Sequence, residues 1–326
     1  MSIVLTNEIK KDPVEMRKAL CDCMIELAEK DPDVVMLDAD LMSAAGTKAF
    51  KEKFPDRHIN CGIQEANMMG VAAGMSAAGF IPFIHTFGCF ATRRAYDQIY
   101  LSGAYSRLNV KIIGSDPGVV AALNGGTHMP FEDIGTMRSI PGMTAIELTD
   151  PVMLKALLPQ IAAAYGMHYL RIARKDVTKI YEEGSSFEIG KAATLKDGED
   201  ATIIASGYCV AEALKAAAAL AEEGISVRVL DMFTWKPLDL GAVVSAARDT
   251  GAIVTAENHN IVNGLGAAVA GALVKTTPVP MEMVGIQDEF GEVGPADYLA
   301  ERFKIKAKHI SESVHKAIGR KKENGC

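Results

Sequence analysis

The sequence predicts an α/β protein built from two doubly wound domains. Three observations lead there: strand-like apolar runs alternate with helix-like ones along the chain, the apolar content is almost all aliphatic, and one charged stretch interrupts the pattern. Hydrophobic residues make up 49 per cent and aromatic residues 6 per cent. Such a mixture suits buried parallel strands covered by Ala-rich helices. At 326 residues the chain is long enough for two cores of ordinary size. The interruption lies at 175–200, with Tyr181-Glu-Glu-Gly-Ser-Ser186 and Lys196-Asp-Gly-Glu-Asp200. It sets the expected domains at 1–187 and 188–326.

In the first domain, helical spacing over Val14–Lys30 predicts a helix, and Val34–Leu37 a short strand that ends at Asp38 and Asp40. Gln64–Ala78 reads as a helix, Phe80–His85 as a strand and Arg93–Ser102 as a helix. Val110–Gly114 is a strand broken by Ser115-Asp-Pro-Gly118, because proline and glycine interrupt strands. Thr144–Glu147 is a strand, Pro151–Ala164 a helix and Tyr169–Ile172 a strand. In the second domain Ala201–Ala205, Val227–Leu230 and Ile253–Thr255 read as strands. Val210–Glu223 and the small-residue run Ile261–Val274 read as helices, and Lys321–Cys326 as a disordered tail.

Composition narrows the function. A net charge of −7 argues against a nucleic-acid partner, which would call for a basic stripe. No apolar run reaches the roughly 18 residues needed to span a bilayer. Met1–Lys11 lacks the basic-then-apolar order of a signal peptide, so a soluble cytoplasmic protein is expected. The six cysteines, Cys21, Cys23, Cys61, Cys89, Cys209 and Cys326, form no CxxC pair, so no metal site is expected and the thiols read as reduced.

In open parallel sheets ligands bind beyond the carboxyl ends of the strands. The loops Asp38–Ser43, His85–Phe90 and Gly114–His128 each follow a strand, so they gather at one edge. Glu65 stands at the head of a helix of small and apolar residues, where an acid is shielded from water and suits the helix dipole. Alone it reads first as a first-turn cap. Its surroundings, Asn60-Cys-Gly-Ile-Gln-Glu65-Ala-Asn-Met68, resemble the Gly-x-x-Glu segment of the pyrimidine-binding domain of transketolase-type thiamine diphosphate enzymes. Thr86-Phe-Gly-Cys-Phe90 resembles the segment carrying the aromatics of that site, with Phe90 the expected stacking residue and Phe87 beside it. Asn124-Gly-Gly-Thr-His128 resembles the family's Asp-Gly-Pro-Thr-His, and Asp40 in Leu37-Asp-Ala-Asp-Leu41 an Ala-Asp-Leu close to the cofactor. Arg94-Ala-Tyr-Asp-Gln98 is similar to a phosphate-binding segment of deoxyxylulose phosphate synthases. Arg174 falls where both groups place a second such arginine, and Arg17 resembles a third. In the second block, Thr255-Ala-Glu-Asn-His259 and Gly264-Leu-Gly-Ala-Ala268 resemble the family's C-terminal domain, where Glu257 and His259 would be structural.

The resemblance implies that Glu65 shares a proton with the cofactor's pyrimidine nitrogen, and that His128 moves protons at substrate hydroxyls. It implies that Arg174, Arg94 and Arg17 hold a terminal phosphate or other anion, whose two oxygens match the guanidinium fork. Two positions depart from the family pattern: Asn124 replaces an Asp, and Ser115 aligns with a His. Both family residues face substrate, so the sugar is left open. The Gly-Asp-Gly that holds Mg²⁺ and diphosphate in the family is absent from the chain. A separately encoded N-terminal subunit with that site is therefore expected, the two chains pairing into a dimer of heterodimers. The expected reaction is transfer of a two-carbon ketol unit from a ketose, often a phosphate, to an aldose. A deoxyxylulose phosphate synthase, the β subunit of a 2-oxo acid dehydrogenase, and a non-catalytic assembly subunit are the alternatives.

Overall fold

A computed structural model of the chain describes residues 1–323. A seven-stranded sheet runs in the order Thr234–Lys236, Thr144–Glu147, His168–Ile172, Lys111–Ser115, Ile81–Phe87, Val34–Asp38 and His58–Asn60. All neighbours are parallel except the first pair. A second, five-stranded sheet has the order Met281–Ile286, Ile253–Asn260, Ala201–Ala205, Val227–Asp231 and Ala193–Lys196, with only the last pair antiparallel. Four inner strands, Val34–Asp38, Lys111–Ser115, His168–Ile172 and Ala201–Ala205, are buried along their full length, which is why the strands read as largely apolar runs. The two doubly wound units expected from composition are present.

The predicted elements recur with ends shifted by at most five residues, and several short edge strands are additional. Within the charged stretch, Thr178–Tyr181 pairs antiparallel with Leu5–Lys11, and Ala193–Lys196 edges the second sheet. The expected helix Arg93–Ser102 is instead three pieces: Gly88–Arg93, Tyr96–Gln98 and a π-helical segment Ile99–Tyr105. At Gly103, within that segment, the ends of the Met167 and Met69 side chains pack into the space a Cβ would take. The expected disordered tail is helical as far as Glu323, at the end of Ala307–Glu323. Lys321 Nζ donates to Thr250 O at 2.8 Å, which holds that end down. Cys326 lies outside the described residues.

The two halves are joined through buried polar groups. Thr234–Lys236, from the second half, completes the first sheet. Arg171 is fully buried; its Nε donates to Asp133 at 2.9 Å and its Nη1 to Glu147 at 2.6 Å. Nη2 donates to the carbonyl of Asn258 at 2.9 Å, in the second sheet. Ser206 Oγ donates to the other oxygen of Glu147 at 2.6 Å and accepts from Trp235 Nε1 at 2.8 Å. With every partner in place, the buried charges are compensated. Glu257 accepts from the amides of Leu265 and Gly266, capping the helix Leu265–Leu273, while His259 Nε2 accepts from the amide of Gly135. Both are structural, as expected.

Candidate active site

The carboxyl-end loops of the seven-stranded sheet bring most of the singled-out residues into one line of contacts. Glu65 opens the helix Glu65–Ala77 and is 3 % exposed. The approach to it is a tight turn in which Asn60 Oδ1 accepts from the amides of Gly62 and Asp40. Arg94 Nη1 donates to Glu65 Oε1 at 2.8 Å, and the Arg94 guanidinium lies 3.8 Å from the centre of the Phe90 ring. Phe87 ends its strand and Phe90 sits in the first turn of Gly88–Arg93, so the two rings meet edge to face at 5.8 Å. The ring of His128 packs edge-on against both, at 5.1 Å from Phe90 and 5.6 Å from Phe87. Its Nδ1 lies 2.9 Å from Thr127 Oγ1, which fixes the ring and leaves Nε2 as the nitrogen available to a substrate.

Arg174 closes the line, with its guanidinium 4.8 Å from the Phe87 ring centre. Asp116 grips it from the Ser115-Asp-Pro-Gly118 break, accepting from Nε at 2.8 Å and pairing with Nη2 at 2.7 Å. Arg17 joins only through its backbone, whose amide donates to Arg174 O at 2.8 Å; its side chain pairs with Glu15 at 2.7 Å. Asp40 stays outside the line. It is exposed and accepts from Asn60 Nδ2 at 2.9 Å, bracing the turn that leads to Glu65. Asn124 is exposed on the loop before His128. Ser115 is 1 % exposed and its hydroxyl turns to Thr86 O, so it lies beneath the site rather than on its wall.

Several supporting residues escaped sequence reasoning. The loop from Asp116 to Gly125 holds four residues at positive φ: Asp116, Gly118, Ala122 and Gly125. Gly118 is obligatory, because a Cβ there would collide with Asn258 Oδ1. Asn258 in turn accepts from Val119 N at 2.9 Å and donates to Pro117 O at 3.0 Å, so the second domain pins the loop that carries His128. The only sequence hint is the Asp-Pro-Gly break itself. His85, on the strand that ends at Phe87, is also buried, near the charges of Asp38 and Arg174. Burial pushes its imidazole down to about 4, which keeps it neutral.

Chemically, the line offers an acid at one end, a flat aromatic face and a proton-shuttling imidazole in the middle, and a guanidinium at the other. The acid and the face already hold a planar, N–H-donating group, since the guanidinium of Arg94 lies between them. An aminopyrimidine has the same attributes, so the donor set fits that ring. Among the described residues no group of three or more His, Cys, Asp or Glu could hold a metal ion. No described helix is long and apolar enough to cross a membrane.

Two family models match: the transketolase pyrimidine-binding domain over residues 12–179 and the transketolase C-terminal domain over 190–310. The chain is 49 % identical over 314 residues to a 6-deoxy-6-sulfo-D-fructose transketolase subunit of Clostridium sp. (strain MSTE9), covering 96 % of this chain and 98 % of the relative. It is 37 % identical over 277 residues to an apulose-4-phosphate transketolase subunit of Phocaeicola vulgatus, covering 85 % and 88 %. A solved split-gene transketolase, an inactive beta4 tetramer, superposes with a TM-score of 0.88 at 39 % identity, covering 95 % of this chain and 100 % of that one. Against transketolase-like protein 2 of Mus musculus the chain spans 49 % of the relative's length. The chain belongs to the transketolase family, and over its length it matches the subunits of that family's split enzymes.

Proposed function

We propose that this chain is the ring-holding half of a thiamine diphosphate-dependent split transketolase that moves a two-carbon ketol unit from an anionic ketose to an aldose. The observation that carries the reading is the buried Glu65 carboxylate set against the Phe90 face, with His128 and Arg174 in line beyond it. The bound cofactor would supply an electron sink for breaking the carbon–carbon bond beside the ketose carbonyl. Glu65 holds a proton against the edge nitrogen of the pyrimidine. Phe90, backed by Phe87, gives that ring a flat apolar surface worth about 0.5–1.5 kcal/mol beyond burial. His128 exchanges protons with a substrate hydroxyl through its free nitrogen. Asp40 keeps the turn before Glu65 in shape.

Arg174 and Arg94 grip the terminal anion of the sugar, Arg17 steadies Arg174 through its backbone amide, and Asn124 stands on the loop that would line the carbon chain. The sugars in the names of two relatives, a sulfonated fructose and apulose 4-phosphate, both carry such an anion. Mg²⁺ and the diphosphate belong to a partner chain with Gly-Asp-Gly, and two such pairs assemble into a heterotetramer. The border of the two domains is taken at 187/188, in the gap between the two family matches. The described cysteines are free, which suits a cytoplasmic protein. The test is turnover of the reconstituted two-chain enzyme with sulfonated and phosphorylated ketoses. Glu65→Gln should lower kcat by at least about a hundredfold with the fold intact; turnover within a few-fold of wild type would refute the assignment.

A further inference from the structure

We propose that Arg94 is a placeholder for the cofactor's pyrimidine ring: in the cofactor-free chain its guanidinium fills the seat between Glu65 and Phe90, and the arriving ring displaces it. The inference rests on the reading of that seat given above and adds an exchange step to it. The grounds are geometric. The guanidinium carbon is 3.8 Å from the Phe90 ring centre, a stacking distance, while Nη1 donates to Glu65 Oε1 at 2.8 Å. The remaining aromatic contacts of Phe90, to Phe87 and His128, are edge-on, so its open face is the one Arg94 covers. One flat group at a time can lie on that face and donate to that oxygen.

The arrangement has a physical reason. Glu65 is 3 % exposed, and a buried carboxylate without a donor is costly, so the seat needs a cation or an N–H whenever the ring is away. Arg94 supplies both. Its own side chain is 45 % exposed and projects from the end of the helix Gly88–Arg93, so it can leave by rotation about side-chain bonds alone. Once displaced, its guanidinium is available at the mouth of the site, toward which Arg174 and His128 also stand. Seating the ring would then release the arginine that helps hold the donor's anion, linking the two binding events.

Calorimetric titration of thiamine diphosphate at saturating Mg²⁺ tests this on the complex of this chain with the diphosphate-binding chain. Wild type is compared with Arg94→Ala, Arg94→Gln and Glu65→Gln, each checked for an unchanged circular dichroism spectrum. Removing a competing, half-exposed contact should tighten cofactor binding about fivefold in both Arg94 variants. Their KM for the ketose should rise, because the donor's anion loses a clamp. Equal or weaker cofactor binding in both Arg94 variants overturns the placeholder. Glu65→Gln separates the two levels. If it binds cofactor as wild type does, the seat itself is misassigned and the underlying reading falls with it. If it weakens binding while the Arg94 variants do not tighten it, only the placeholder is lost.

Discussion

Replacing Arg171 by methionine removes the buried cation from the junction between the two domains while filling nearly the same volume. Arg171 is fully buried and donates to Asp133, Glu147 and the carbonyls of Pro130 and Asn258. Burial pushes the Asp133 carboxyl up, but the adjacent guanidinium overrides this and holds it below the usual range. Without the guanidinium, two buried carboxylates face each other and two carbonyls lose a donor. Breaking a buried ion pair from one side costs about 3–5 kcal/mol, a large share of the roughly 5–15 kcal/mol that keeps a protein folded. The sign of the pH dependence follows. In the variant the burial that already pushes Asp133 up is no longer offset by the guanidinium, so its folded-state pKa rises above its unfolded value. Stability relative to wild type is therefore lost as pH increases through that window. Urea unfolding at pH 5 and pH 8, followed by the single tryptophan, Trp235, reads both effects at the junction itself, because Trp235 Nε1 donates to Ser206 there. The expected loss is larger at pH 8 than at pH 5. A loss below about 1 kcal/mol, or one equal at both pH values, would refute the reasoning.

Two further predictions concern the same region. Gly118→Ala puts a Cβ into Asn258 at a φ of +50°. Backbone strain of about 1 kcal/mol and two disturbed hydrogen bonds of about 1 kcal/mol each give a loss of about 3 kcal/mol. Turnover should fall further than stability alone explains, because the loop carrying His128 is released; a variant with full activity would contradict the pinning role of Asn258. Burial raises the Glu257 carboxyl to about 8, above its ordinary value, so its contribution to stability is lost as pH rises from about 4.5 to 8. Glu257→Gln should remove that dependence, so wild type loses ground to the variant by up to about 1.4 kcal/mol per pH unit in that window. A difference that does not change with pH would show that the buried carboxyl is already ionised.

The legible and illegible parts of the site divide by the range of the interactions that make them. Glu65, Phe90 and His128 are readable because each lies in a short segment whose residue types suffice to suggest its chemistry, beside a strand end the apolar pattern locates. The support for Arg174 is not, since its partner Asp116 is 58 residues away and looks like a turn former. Asn258 reaches the Asp116–Gly125 loop across 139 residues, from a strand whose end, Glu257-Asn-His-Asn260, is polar throughout and does not single it out. Ser115 ends a strand at the site and so reads as part of its wall, but the alternation of side chains along the strand turns it under the loop. Thr234–Lys236 escapes the pattern because three residues carry no period, and its place is set by the opposite domain. The π-helical segment escapes because helical spacing does not distinguish a wide turn from an ordinary one.

The most direct test of the central claim is calorimetric titration of thiamine diphosphate with Mg²⁺, first into this chain alone and then into its mixture with the chain carrying Gly-Asp-Gly. The account predicts binding only in the mixture, abolished or greatly weakened by Glu65→Ala. Tight Mg²⁺-dependent binding to this chain alone, or undiminished binding in the Glu65→Ala mixture, would contradict it.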